Sequence, residues 1–160
     1  MSVLSEILHD LVQKKSSNGA ELLEKHPTTK KGENYLGTLT SLTLKYKNHN
    51  NTNEIVHIVI KEEPEVSADM LETIRSMDLF GTEQQILSDI LPKIELLTNT
   101  KIGPKIHYLA PKPPIIIMED LTQLGFKNRN KKIGLNTNEV NLVLEKLADF
   151  HAGTILLEEQ

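Results

Sequence analysis

No cysteine occurs among the 160 residues, which excludes disulfides, thiol nucleophiles and thiolate metal sites and is in keeping with a reducing compartment. No apolar run approaches the length of about 18 residues that a membrane-spanning helix needs. The opening MSVLSEILHD places Glu6 and Asp10 where a secretory leader requires first basic and then apolar residues. A strong charge of either sign is missing as well. The net charge of −4 gives no general reason to expect nucleic acid, and Lys30/Lys31 and Lys131/Lys132 are only local basic spots. His9, His26, His49, His57 and His107 are scattered without ligand spacing, so no zinc site is expected. What remains is an ordinary globular composition, 38% hydrophobic and 25% charged, expected in the cytoplasm. A chain of this length suits one domain and can bury roughly two-thirds of its unfolded surface.

Leu4, Ile7, Leu8, Leu11 and Val12 recur at helical spacing and predict an amphipathic helix over residues 3–14. His9 and Asp10 fall on its wet face, where they read as solvated residues rather than a catalytic pair. SSNG then reads as a break. From Gly32 to Tyr46 the period changes to two, with Leu42, Leu44 and Tyr46 on one face and Ser41, Thr43 and Lys45 on the other. This predicts two strands meeting around Gly37, or one long bent strand. KNHNNTNE reads as a polar hairpin tip, and IVHIVIKEEP as a central strand closed by Pro64. Over residues 77–94, Ile86, Leu87, Ile90, Leu91 and Ile94 form a helical stripe that Pro92 ends or kinks. KIHYLAPKPPIIIMED reads as strand, proline-rich connection, strand. Asn136 with Glu139 supplies a helix cap, and Val140, Val143, Leu144, Leu147 and Ala148 are assigned to the inner face of the helix that follows. His151 returns to that same face and reads as a core residue with its hydrogen bonds satisfied. The predicted order is helix, three strands, helix, two strands, helix, with no internal repeat.

Three groups of residues could carry chemistry. Lys61 closes the run IVHIVIK and shares a strand face with Val59, His57 and Ile55. Glu83 precedes Ile86 and Leu87 by three and four residues, which places it on the inward stripe. Buried alone, each charge is costly; together they satisfy one another and leave an ammonium facing a cleft. The alternative is that Lys61 snorkels to water and Glu83 merely stands near a helix start. The second group is the end of the run PPIIIMED, read as an edge whose backbone groups can hydrogen-bond a planar heterocycle. Glu119 and Asp120 are then solvent-side or structural, and as neighbours on a strand they point to opposite faces and make a poor acid/base pair. The third is Gly32 and Gly37, which bracket ENYL and would let backbone approach phosphate, although the spacing matches neither GxGxxG nor a Walker loop.

GENYLGTL, the IVIK strand, FGTEQQI, IIIMEDL and LEKLADFHA occur in this order from about Gly32 to Thr154. That ordered set resembles the ecdysteroid-kinase-like family, also called choline-kinase-like or CHK-like. The resemblance implies an α+β, protein-kinase-like N-terminal lobe: an antiparallel sheet of about five strands plus helices, then the first helix of the C-terminal lobe. Residues 1–31 become a helix and linker, 32–121 the lobe, and 122–160 a hinge connector with that first helix. The implied reaction moves the terminal phosphoryl group of ATP, with Mg2+, onto a hydroxyl of a small-molecule alcohol, ecdysteroids being the best-known substrate class. Neither nucleic acid nor membrane is implied as a partner. Lys61 is implied to hold the ATP phosphates with Glu83 as its partner. A nucleotide-covering turn is implied from Gly32 to Thr38, with Gly32, Glu33, Asn34 and Gly37 among the ATP-binding residues. A hinge at Met118–Leu121 is implied to read adenine through its backbone groups, with Met118, Glu119 and Leu121 among the ATP-binding residues. The family's HGDxxxxN loop and its DF-type metal-binding aspartate do not occur in these residues, and Asp149 lies inside a predicted helix, so no catalytic residue or metal ligand is assigned. The expectation is a truncated kinase-family member, inactive alone, whose last helix exposes apolar surface that promotes association. The alternative is a non-catalytic binding module that keeps the lobe as a scaffold.

Overall fold

The computed structural model describes residues 16–28 and 36–159. The helix expected over residues 3–14 lies outside them, as do Lys30, Lys31, Gly32, Glu33 and Asn34. The elements are β1 (Ser16–Pro27), β2 (Thr38–Asn48), β3 (Asn53–Glu62), α1 (Ala68–Ser76), α2 (Leu79–Gln85), a π-helical stretch (Ile86–Ile90), α3 (Leu91–Thr98), β4 (Ile106–Pro111), β5 (Pro114–Glu119), a 3-10 turn (Leu121–Leu124) and α4 (Thr137–Glu158). They form two compact units. The first holds the described residues up to Gly81 together with Lys105–Asp120; the second holds Thr82–Pro104 and the described residues from Leu121 onward.

The first unit is built on a five-stranded sheet of order β1-β2-β3-β5-β4 in which every neighbouring pair is antiparallel. This is the α+β class and the sheet that the resemblance implies. β3 is the middle strand, as its β-branched run predicts, and alternation sends Ile58 and Ile60 to one face. There they join Leu42, Leu44 and Tyr46 of β2, Ala110 of β4, and Ile115 and Ile117 of β5 in one apolar core. Each fully buried isoleucine contributes about 2–3 kcal/mol relative to leaving it in water. Tyr46 keeps its hydroxyl satisfied by donating to Glu54 Oε2 at 2.7 Å, and burial, then Glu54, push its phenol up to about 12. The β2–β3 hairpin tip is polar as predicted, with Asn48 Oδ1 accepting from the amides of Asn50 and Thr52.

Two elements of this unit differ from the sequence reading. SSNG opens a strand, β1, rather than a break, and residues 32–35, where the sequence reading began its first strand, lie outside the described residues. β1 carries no alternating pattern, since Leu22 and Leu23 are both exposed. Its pairing with β2 supplies the ladder, and two irregularities in register, between Ser16 and Ala20 and between Leu22 and Glu24, absorb the mismatch. α1 was not predicted at all. It buries little beyond Ile74 and is tied down by Arg75, whose guanidinium donates to both carboxylate oxygens of Glu63 at 2.6 Å.

The Arg75 guanidinium holds the Glu63 carboxyl below its usual value of 4.5. Unfolding releases it to that value, so the pair stabilises the fold above it and the contribution is lost as pH falls through the lower, folded value. Arg75 is exposed, so the effect is modest. Glu63→Gln is expected to flatten the acid limb of the stability curve below about pH 5, read from urea midpoints at successive pH values. An acid limb identical to that of the parent chain would show that the pair contributes nothing to it.

The helix predicted over residues 77–94 starts at Leu79, in the last residues of the first unit before Thr82, after Asp78 takes a left-handed conformation (φ 48°), and runs on through the second unit to Thr98. Pro92 neither ends nor breaks it. A proline inside a helix lacks the amide donor and crowds the carbonyl four residues back. Here the turn before it is widened to π geometry, with the Leu91 amide donating to Ile86 O, five residues back. The predicted stripe is kept in part: Ile94 is fully buried and Leu87, Ile90 and Leu91 are half-buried, whereas Ile86 is exposed. Asn99 then ends the run in the left-handed region, and Glu95 Oε1 accepts from the amides of Ile102 and Gly103 at 2.7 and 2.8 Å, folding the next loop back on the helix.

α4 begins with the predicted capping box: Asn136 Oδ1 accepts from Glu139 N and Glu139 Oε2 from Asn136 N, each at 3.0 Å. Arg129 forms an ion pair with the same glutamate. The predicted inner face is not buried, because Val140, Val143, Leu144, Leu147 and Ala148 are all exposed. The expectation that this helix presents apolar surface is met. His151, read as a core residue, is exposed, its ring set edge-on to Phe150 at 6.0 Å between ring centroids. The residue of α4 that is buried is Gly153. A Cβ there would run into Ile94 Cγ2 and lie 3.1 Å from Thr98 Cγ2, so the missing side chain is what lets α4 approach α3.

Candidate functional site

Lys61 stands one residue before the end of β3, between Leu39 of β2 and Ile116 of β5. Strand alternation places it with Val59 and His57, on the face opposite Ile58 and Ile60, as the sequence predicts. Its Nζ lies 5.5 Å from the centroid of the Phe80 ring, and Phe80 is buried at the start of α2. An aromatic face at that range attracts an ammonium, which gives the charged end of Lys61 a defined resting place. Gly37, just ahead of β2, packs along the stem of the same lysine. A Cβ there would lie 2.9 Å from Lys61 Cε, 3.4 Å from Lys61 Cγ and 3.1 Å from Glu62 O. The close approach that demands glycine at position 37 is therefore to Lys61 and to the end of β3.

The end of β5 differs from the sequence reading. β5 is not an edge; β3 flanks it on one side and β4 on the other. The Glu119 amide donates to Lys105 O at 2.9 Å, and Glu119 Oε2 accepts from Lys105 N at 3.1 Å. The Asp120 amide donates to His57 O at 3.3 Å, and Asp120 Oδ2 accepts from Ser41 Oγ at 2.9 Å. Asp120 is only 5% exposed. Of the solvent-side and structural alternatives, both acids take the structural one: Glu119 ties down the approach to β4, and Asp120 ties β5 to β2. The amides of residues 119 and 120 are thus already committed to protein carbonyls.

Ser41 and Thr43, on the polar side of β2, are buried as well. Thr43 Oγ1 lies 3.1 Å from His57 Nδ1. The polar pattern of TSLT accordingly marks a face sealed by hydrogen bonds between side chains, because buried hydroxyls need partners.

Within the first unit the structure brings together Lys61 and Gly37, and it places Met118 on β5 opposite Val59, on the Lys61 face. Met118 and Glu119 are half-buried. Glu83 is half-buried in α2 within the second unit, and Leu121 opens the 3-10 turn there, its carbonyl accepting from Phe126 N at 3.2 Å. Sequence reasoning missed Phe80 and the contact between Ser41 and Asp120. Phe80 had a usable signal, an aromatic opening the FGTEQQI segment; nothing in a polar-apolar pattern announces the reach of Asp120 to Ser41. Among the described residues no three His, Asp or Glu side chains converge as metal ligands, and no helix is long and apolar enough to cross a membrane.

Against known proteins, the chain matches the family model described as the ecdysteroid kinase-like family over residues 31–160. No curated protein and no solved structure gives a match.

Proposed function

Because the chain belongs to the ecdysteroid kinase-like family, we propose that its first unit anchors the phosphates of ATP for transfer to a small-molecule alcohol of the ecdysteroid class. Membership in the family supports a kinase-like phosphotransferase. The observation that carries the finer reading is the setting of Lys61, with its stem packed along Gly37 and its ammonium over the Phe80 ring. Phosphoryl transfer asks little covalent chemistry of a protein and much positioning of charge, so a cation fixed at the end of a central strand is the part it needs. In this reading Gly32, Glu33, Asn34 and Gly37 cover the phosphates and Glu83 pairs with Lys61. Met118, Glu119 and Leu121 present backbone to adenine, and ATP enters with Mg2+ as substrate. The catalytic base and metal ligands of the family are not among these residues, so the 160-residue chain binds nucleotide without turning it over.

A thermal-melt series with and without MgATP tests this. Ligand at a hundredfold excess over its dissociation constant stabilises by about 2.7 kcal/mol, enough to raise the midpoint by several degrees. Lys61→Ala is expected to abolish that ligand-dependent shift, whatever it does to the unliganded midpoint. A well-folded chain with no shift would favour the non-catalytic scaffold, and turnover of ATP onto an alcohol by this chain would contradict the reading from the other side.

A further inference from the structure

We infer that Asp120 is a positioning residue for the nucleotide base, fixing the point at which the chain leaves the sheet. β2 and β5 are not neighbours; β3 lies between them, so their backbones stand roughly 10 Å apart. The Asp120 carboxylate nevertheless reaches Ser41 Oγ of β2, while its amide holds His57 O of β3. Glu119, the preceding residue, is bonded to Lys105 in both directions. One point of the chain is thus fixed from three directions. A carboxylate buried to this degree is costly unless its hydrogen bonds offset the loss of water, so the contact to Ser41 is not incidental.

His57, which holds the Asp120 amide, lies four residues before Lys61 on the same strand and the same face. At about 3.3 Å per residue, one rigid strand separates the two by roughly 13 Å. β3 therefore sets the distance between the end of β5 and the ammonium. The inference rests on the reading of Lys61 as the phosphate anchor and of the end of β5 as the side from which adenine is recognised. Loosening the Ser41–Asp120 contact leaves the lysine in place and lets the base-reading end drift, so base discrimination is lost while phosphate binding survives.

The experiment measures the affinities of the full chain for ATP, GTP and inorganic tripolyphosphate by titration calorimetry, with Asp120→Ala, Ser41→Ala and Asp120→Asn variants. Asp120→Ala and Ser41→Ala are expected to reduce the preference for ATP over GTP about tenfold and to leave tripolyphosphate affinity unchanged. Asp120→Asn retains an oxygen that accepts from Ser41 and is expected to keep the preference. Unchanged base preference in the folded alanine variants overturns the inference, as does a parallel loss of tripolyphosphate binding. If Asp120→Ala does not fold, Ser41→Ala decides. A parent chain that binds neither ATP nor tripolyphosphate overturns the reading of Lys61, and this inference with it.

Discussion

Gly153→Val is expected to strip α4 from α3 and to destabilise the second unit by about 3 kcal/mol or more. Two effects oppose each other at this position. Glycine inside a helix costs about 1 kcal/mol relative to alanine, so propensity alone predicts that any side chain stabilises α4. Packing predicts the reverse: a Cβ at 153 collides with Ile94 Cγ2 and stands 3.2 Å from Ile94 Cβ. Ile94 is fully buried and β-branched, so its methyl cannot swing aside as a long flexible chain would. The collision outweighs the gain in propensity, and even Gly153→Ala should lose about 1–2 kcal/mol net. Ile94→Ala, which alone costs about 2–5 kcal/mol, opens room at the same spot. The double variant Gly153→Ala/Ile94→Ala is therefore expected to be more stable than the sum of the singles by about 1 kcal/mol, measured by urea unfolding followed by circular dichroism. Strict additivity, or a Gly153→Ala chain as stable as its parent, would show that the two helices do not meet as described.

Gly37→Ala has the second-largest expected effect, and it separates fold from function. The new methyl would press on Lys61 Cε, which can yield, and on Glu62 O, which belongs to a paired strand and cannot. About 1–3 kcal/mol of stability should go, with Lys61 displaced from its place over Phe80. On the proposed function, MgATP affinity falls by about tenfold or more, since phosphate anchoring is mainly positioning. The decisive comparison is Gly37→Ala in a Lys61→Ala background. If Gly37 acts through the lysine, the second substitution removes little further MgATP affinity, while its cost to stability persists in part. A full additional loss would mean that the backbone around residue 37 touches nucleotide by its own route.

Much of the fold was legible where residues obey one rule at a time. The run IVHIVIK is β-branched and alternating, and it became the central strand with Lys61 on the predicted face. Asn136 and Glu139 formed their reciprocal cap because that motif depends on residues three apart and on nothing distant. β1 was not legible because its strand character comes from pairing with β2 rather than from its own pattern. α1 was missed because it buries so little, and its anchor, Arg75 to Glu63, spans two segments with no shared period. The stripe from Ile86 to Ile94 lost its first member, Ile86, because a period of 3.6 was assumed through a turn that is wound more widely. In the site, Lys61 and Gly37 were visible as residue types, but their packing against one another was not. Asp120 was read as one of two adjacent acids at a strand end, because its partner lies 79 positions away in sequence.

The widened turn at Ile86–Ile90 also constrains which changes of chain length this helix can absorb. It holds one residue more than a regular α-helix would place there, so deleting one could let the coil close up and keep Ile94 aimed at Gly153. A deletion elsewhere between Leu79 and Ile94 would rotate that isoleucine by about 100°. Closing the turn, however, drives the ring of Pro92 into the carbonyl four residues earlier. A one-residue deletion in this turn is therefore tolerable only together with replacement of Pro92.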